Sequence, residues 1–347
     1  MVIARSSQTA ARFDELDEHL FKLDTYDDRP IPELLVNYPA ARKALLAHLV
    51  SQQPAAVVTL MPHVWTPLLA PAIRRLGISY ISIAHDAGPH PGDPTAILTP
   101  WLLRDTRHAD MVVTLSRTVA DRLVGTRRVP AARVMPLFHP DLHYESPSSV
   151  RQRKIGDPLR LLFFGRVLKY KGLPLLIDAV EKLRAEGLPV QLGVAGAGNI
   201  RHERSRLEAL QAEVINRWIG DHEVGPLLAG YDAVALSHIE ASQSGVAAMA
   251  FGHRMPVVAA PVGGLVEQVE DGRTGILAQR LSGASLADAI RRLTLDTNLY
   301  NSISRDLAAT ADGRSMRRFV AELAEVIRGG AAGAAPRGVT IPATHSA

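Results

Sequence analysis

The second half of the chain alternates short apolar runs with helix-length amphipathic runs, and no other feature of the 347-residue sequence constrains the fold as strongly. LRLLFF at 159–164 reads as a strand buried on both faces, GRVLKYKG as its loop, and LPLLIDAVEKLRAEG as a helix closed by Gly187. PVQLGVAG with a helix over 201–211, EVINRWIG with a short helix, and YDAVALSH with a glycine-entered helix through Phe251 repeat the unit. MPVVAA, the turn VGGL and DGRTGILA add further strands before helices over about 283–297 and 299–311. Apolar runs of strand length separated by helical spacers specify βα units around a parallel sheet, so this half reads as a doubly wound domain.

The first half repeats the grammar less regularly. AAVVTL (55–60), SYISIAHD (79–86), ADMVVTLS (109–116) and ARVMPLF (132–138) are strand candidates with helices between them, which makes a second α/β domain. The polar, aperiodic stretch HPDLHYESPSSVRQRKIGDP is the expected linker, giving domains over 1–147 and 148–312. The tail over 329–347, GGAAGAAPRGVTIPATHSA, is expected to be disordered. A doubly wound domain ordinarily opens with an apolar strand and a glycine-rich turn, yet the first apolar run is only MVIA and no glycine precedes Gly77. The expectation is that the first domain lacks its opening strand and loop, or that the biological start lies upstream.

Composition then removes whole classes. There is no cysteine, so disulfides, cysteine-ligated metals and thiol catalysis are excluded. The uncharged stretch Pro54–Ile73 has the length of a membrane span but carries four prolines and His63, and reads as a strand, a turn and a short helix. With no basic-then-apolar leader the expected location is cytoplasmic. The 39 basic and 35 acidic residues give a net charge of +4, and only 5% of residues are aromatic, so no nucleic-acid partner is expected.

Three clusters could carry chemistry. In FFGRVLKYKG, Arg166 and Lys171 stand with Gly165 and Gly172 on a loop leaving the carboxyl end of a strand, where open α/β sheets bind ligands. A forked Arg and a point-charge Lys suit a diphosphate, and a solvated basic loop is the alternative. In HIEASQSGVAAMAFG, Glu240 sits in a loop while Ser242, Ser244 and Gly245 precede an Ala-rich helix whose free N–H groups would favour an anion. A simple N-cap with a surface carboxylate is the alternative reading there. In HDAGPHPGD, His85, Asp86 and His90 follow a strand and fit acid–base work, half a metal site, or mutual capping. GVAGAGNIRH fails as a dinucleotide fingerprint, because Arg201 stands where the last glycine belongs. No P-loop, nucleophile elbow, HExxH or DxD is present.

Together LRLLFFGRVLKYKGLPLLIDAVEKL, VAGAG, VINRWIGDHEVGPLLAGYDAVALSHIEASQSG and PVVAAPVGGLVEQVEDGRTGILA resemble the donor-binding domain of retaining glycosyltransferases of family 4. The resemblance covers about 159–280, and MPHVW, IAHDAGPHPGD and LSRTVADRL are similar to the acceptor-side domain. It implies the GT-B architecture, two Rossmann-like domains facing across a cleft, with a return helix over 313–328 that includes SMRRFVAELAEVI. It also implies roles. Arg166 and Lys171 would neutralise a donor diphosphate beside Gly165, Glu240 would orient the donor sugar, and His85 would face that sugar. Ser242, Ser244, Gly245 and Val246 would receive the phosphates, and Arg217, Trp218 and Ile219 lie where the family's base rests.

The family pattern has a second glutamate, for the ribose, where this chain has Ala248; EASQSG resembles a recognised variant of the family in this respect. The implied function is metal-independent, cofactor-free transfer from a nucleotide sugar to a glycan or lipid-linked sugar acceptor with retention, in polysaccharide biosynthesis. The rival is a non-catalytic relative that binds a nucleotide sugar or a partner enzyme, and a sugar-nucleotide epimerase is a third. Seven arginines between Arg104 and Arg133 leave two readings open, peripheral contact with the inner face of a membrane or solvated helix faces.

Overall fold

A computed structural model describes residues 2–4, 20–23, 25, 30–93, 97–126, 129–144 and 150–333. Through residue 144 the elements are strands β1 (Val2–Ala4), β2 (Phe21–Leu23), β3 (Ala56–Thr59), β4 (Ser79–Ala84), β5 (Met111–Thr114) and β6 (Val134–Pro136). They alternate with helices α1 (Pro30–Gln52), α2 (Thr66–Arg75), α3 (Thr99–Leu102) and α4 (Arg117–Gly125). The remainder carries β7 (Leu159–Phe164), β8 (Val190–Ala195), β9 (Glu213–Ile215), β10 (Ala233–Leu236), β11 (Val257–Ala259) and β12 (Gly275–Leu277). Its helices are α5 (Leu173–Ala185), α6 (Arg204–Ala209), α7 (Asp221–Ala229), α8 (Gly245–Gly252), α9 (Leu265–Gln268), α10 (Gly283–Leu295), α11 (Thr297–Ala309) and α12 (Met316–Gly333).

The described residues within Met1–Ile83, Trp101–Val112 and Ile327–Ala347 form one compact unit, and those within Ala84–Pro100 and Val113–Val326 a second. The sheets run β1-β2, β3-β4-β5-β6 and β12-β11-β10-β7-β8-β9. In the first unit the MVIA run forms β1, pairing in parallel with β2 from Val2 beside Phe21. The residues over 5–19, where a glycine-rich turn would follow, lie outside the described residues. The proline-rich uncharged stretch gives β3 and α2, with Pro67 in the first turn of the helix and Pro71 inside it, and among the described residues no helix is long and apolar enough to cross a membrane. β3 pairs with β4 in parallel, Ala56 beside Ser79.

In the second unit all six strands of the large sheet pair in parallel. Leu159, Leu161, Leu162 and Phe163 of β7 and the whole of β10 are buried, because helices cover both faces of a parallel sheet, which is why these strands read as continuous apolar runs. Numbered from β7, the strand order places the first strand beside the fourth and reverses direction there. Ligands of doubly wound sheets bind at that reversal, beyond the carboxyl ends of the strands. The chain between the two halves is strapped down by half-buried Arg151 and buried Arg153. Arg151 donates to the carbonyls of Leu228, Tyr231 and His253, and Arg153 to those of Leu293 and Asp157. Residues 145–149 of the expected linker and 334–347 of the tail lie outside the described residues. α12 continues to Gly333, into the stretch whose composition suggests disorder, since alanine favours the helix.

Candidate functional site

The loops after β7 and β10 meet at the reversal point and are laced by their backbones. Ile239 N–H donates to the Tyr170 carbonyl at 2.7 Å, and the Ser237 hydroxyl donates to the Lys171 carbonyl at 3.0 Å. Gly172 makes this approach feasible. Its φ is +67°, and a Cβ there would sit 2.0 Å from the Ser237 carbonyl oxygen. Gly165 turns the chain out of β7 with φ +99°, and a Cβ there would lie 3.3 Å from Lys171 Nζ.

The result is a cavity of about 180 Å³ in the second unit, lined by charged and polar side chains around the start of α8. Arg166, Lys171, Ser242, Ser244 and Gly245 all line it. Arg166 is ion-paired with Asp93 at 3.0 Å. Lys171 is half-buried, and desolvation together with the positive charge of Arg166 brings its ammonium down to about 8. Its Nζ has no hydrogen-bond partner among the described residues. At α8, Ser244 caps the helix by accepting from Ala247 N–H at 3.2 Å, while its own N–H donates to Gln268 Oε1 at 2.6 Å. The N–H groups of Gly245 and Val246 have no partner among the described residues, the usual state of a helix N-terminus.

The HDAGPHPGD loop contributes the opposite wall. His90 stacks on Tyr170 with ring centroids 4.8 Å apart, and its Nε2 lies 2.9 Å from Asp86 Oδ1 and 3.2 Å from the Ser242 hydroxyl. The bond to Asp86 raises the His90 imidazolium above its ordinary range against the opposing effect of burial. Burial would lift the Asp86 carboxyl, but His90 holds it below its ordinary value. Of the readings open for this loop, His90 and Asp86 therefore act on each other at the cavity wall. His85 is not among the lining residues.

Glu240 stands beside the cavity rather than in its lining. Its Oε1 accepts from Arg122 at 2.9 Å and lies 3.8 Å from His90 Nδ1, leaving Oε2 without a partner among the described residues. Arg217, Trp218 and Ile219 are not brought to the cavity. Arg217 forks onto Glu223 at 2.6 and 2.9 Å, Trp218 is 68% exposed, and Ile219 is buried in the core. Ala248 is 1% exposed and its carbonyl accepts from Leu142 N–H, so the position that lacks the second glutamate belongs to the packed interior. Asp93, Tyr170, His238 and Gln243 line the cavity without having been singled out from the sequence. Only His238 carried a local signal, a histidine two residues past the last residue of a buried strand. A larger depression of about 1010 Å³ beside the junction of α10 and α11 is far more open, and its Arg291 and Arg292 are already paired with acids.

Parallel sheets in two α/β units, with a polar cavity at the reversal of a doubly wound sheet, define the GT-B class of fold. The solved structure of Anabaena Alr3699/HepE in complex with UDP-glucose superposes with a TM-score of 0.71 at 17% identity, over 94% of this chain and 91% of that one. Residues 1–137 match the model of Glycosyltransferase Family 4, and residues 158–296 that of Glycosyl transferases group 1, so the chain carries domains of both descriptions. Similar sequences include an alpha-D-kanosaminyltransferase of Streptomyces kanamyceticus, 24% identical over 68% of this chain and 66% of that protein. A D-inositol 3-phosphate glycosyltransferase of a Nocardioides species is 32% identical over 61% of this chain and 50% of that protein. The chain thus spans between half and two thirds of the length of these curated relatives.

Proposed function

We propose that this chain is a glycosyltransferase that holds a nucleotide-sugar donor in the second unit, with the donor diphosphate in the cavity between the β7 and β10 loops. The observation that carries the reading is the set of donors at that cavity without protein acceptors, Lys171 Nζ and the Gly245 N–H beside Arg166, with the free N–H of Val246 next in the first turn of α8 though outside the lining. The family models and the similarity to glycosyltransferases support it. Breaking the bond between sugar and phosphate places negative charge on the diphosphate. Fixed cations and a helix N-terminus stabilise that charge more in the transition state than in the ground state. On this reading the protein's own cations do the work a metal would do, and no resident cofactor takes part.

Diphosphate entry displaces the Asp93 carboxylate from Arg166, exchanging one anion for another. The free Oε2 of Glu240 accepts a hydroxyl of the donor sugar, while Arg122 holds the other oxygen. His85 lies one residue before Asp86 on the loop that forms the facing wall, which supports its place near the sugar. Retention follows if the acceptor hydroxyl attacks from the face the diphosphate leaves. The acceptor oxygen bonds to the anomeric carbon, the sugar–phosphate bond breaks with its electron pair on the diphosphate, and that diphosphate takes the acceptor proton. A glycan or lipid-linked sugar is the acceptor class, and polysaccharide synthesis at the inner face of a membrane the setting.

One observation favours a second reading, binding without turnover: Ala248 is packed in the core, so a ribose would find no carboxylate there. Incubation with a panel of UDP- and GDP-sugars, with and without sugar acceptors, separates the two. Release of nucleoside diphosphate that disappears in Lys171→Ala supports transfer. Tight donor binding with no release supports the second reading, and absence of both binding and release overturns the donor site.

A further inference from the structure

Six side-chain atoms among the described residues are buried without a protein partner, and three of them, His90 Nδ1, His238 Nδ1 and Gln243 Oε1, belong to residues that line this single cavity. A buried polar atom left unpaired costs about 1–3 kcal/mol, so such atoms are normally satisfied or stand ready for a ligand. The three are not equivalent. His90 is already fixed through its other ring nitrogen, and Gln243 is partly exposed and free to turn. His238 is 5% exposed, and its Nδ1 is buried.

His238 sits on the β10 loop, two residues past Leu236. The groups facing it across the cavity are Lys171 and Arg166 from the β7 loop, and Asp86, His90 and Asp93 from the HDAGPHPGD loop. The Tyr170 ring lies 6.1 Å away. We propose that His238 is a ligand-contacting residue of this site, its Nδ1 donating a hydrogen bond to a phosphoryl oxygen of the bound diphosphate. The inference rests on the donor reading above and extends it to a residue outside the motif that suggested that reading. The phosphoryl is favoured over a hydroxyl because Lys171 Nζ and the α8 N–H groups, the donors that give the cavity its positive character, need an acceptor, while Gln243 Oε1 needs a donor. Burial, then the charges of Lys171 and His90, bring the imidazole down to about 3 against a smaller opposing effect of the Leu236 carbonyl. At neutral pH the ring is therefore uncharged with one proton, and the proposal places that proton on Nδ1, the nitrogen without a protein partner, so that the ring donates without adding a third fixed cation.

Calorimetric titration of the full chain with inorganic pyrophosphate and with UDP and GDP tests the assignment. His238→Asn places an amide where Nδ1 stood, His238→Gln places it one bond further out, and His238→Phe removes the polar atom. The expected result is a Kd raised at least about tenfold for pyrophosphate and nucleotide alike in His238→Phe, and kept within about threefold in His238→Asn, with His238→Gln weakened like Phe. The ring 15N resonances of His238 shift on pyrophosphate addition. A purely structural role would instead lower Tm with Kd unchanged. Unchanged Kd in His238→Phe with binding lost in Lys171→Ala overturns the inference and leaves the donor site standing. Unchanged binding in both overturns the site itself, as does failure of the wild type to bind any of the three probes. Weakening for nucleotide alone moves the contact off the phosphoryl and overturns the assignment. If His238→Phe fails to fold, equal affinities for His238→Asn and His238→Gln overturn it.

Discussion

A polar network buried in the first unit and the polar cavity of the second treat their side chains in opposite ways. In the first, Tyr80, Ser82 and Asp105 are all at most 2% exposed, and each is satisfied. The Tyr80 hydroxyl lies 2.8 Å from Thr59 Oγ1 and 3.1 Å from Asp105 Oδ2, which also accepts from the Ser82 hydroxyl at 2.8 Å. Burial raises the Asp105 carboxyl, and those hydrogen bonds pull it part of the way back. In the second unit, the cavity brings together Lys171 Nζ, His238 Nδ1 and the α8 N-terminus, none of them with a protein hydrogen-bond partner among the described residues. A closed network fixes the geometry of a strand and helix; an open one, on the reading proposed above, is held for something that arrives.

If that contrast is right, the largest effects follow from emptying the open network. Lys171→Ala and Arg166→Ala should each lower kcat/KM by about 10²–10³, because each removes a charge aimed at the developing diphosphate. Thermal denaturation should show the fold intact, since the Lys171 side chain contributes no hydrogen bond to the fold and its backbone bonds survive the substitution. Breaking the closed network should do the reverse. Asp105→Ala strands the Ser82 hydroxyl, leaves the Tyr80 hydroxyl to Thr59 alone and is expected to cost about 2–4 kcal/mol in urea unfolding, while pyrophosphate affinity below the transition stays at the wild-type value. Loss of affinity in Asp105→Ala at constant stability would dissolve the distinction between the two networks.

The same contrast explains what the sequence disclosed. β7, β8, β10 and β11 were legible because strands covered on both faces must be apolar throughout, and the loops beyond them were legible because a sheet of this order presents its carboxyl ends to ligands. α1 was not singled out, as Pro39 lies inside it and argues locally against a helix. Of the cavity, Arg166 and Lys171 were readable from spacing within the β7–loop–α5 unit, and Ser244 from the β10–loop–α8 unit. The pairing of Arg166 with Asp93 and of His90 with Ser242 was not, because those partners are 73 and 152 residues apart in the chain. Contacts of that range follow from sheet order and loop closure rather than from any local pattern.

A smaller effect comes from titrating the open network instead of cutting it. Free Lys171 titrates near 8, and a bound diphosphate favours its protonated form and moves that value upward. Affinity should therefore be constant below about pH 8 and fall about tenfold per pH unit above it, until the higher value of the complex is reached. Calorimetry with pyrophosphate between pH 7 and 10 reads this slope directly, and Lys171→Arg should flatten it, because a guanidinium stays charged throughout. A slope unchanged in Lys171→Arg would assign the titration to another group and take Lys171 out of the site.

The smallest effect concerns a residue that belongs to neither network. Trp218 lies 68% exposed beside Arg217, whose guanidinium is spent on Glu223 and not on the cavity. An indole so exposed contributes little to the fold, and Trp218→Ala should change stability by no more than about 0.5 kcal/mol. Since the cavity lining does not include it, pyrophosphate should bind the variant within about twofold of wild type if the open network alone holds the phosphates. Whichever of UDP and GDP binds the wild type should nevertheless weaken about fivefold, because stacking a base on an aromatic ring contributes about 1–3 kcal/mol and an exposed ring gives the low end of that range. The difference between the two probes is the informative quantity. Equal loss for both would mean that Trp218 shapes the cavity despite its exposure, and no loss for either would place the base elsewhere than residues 217–219.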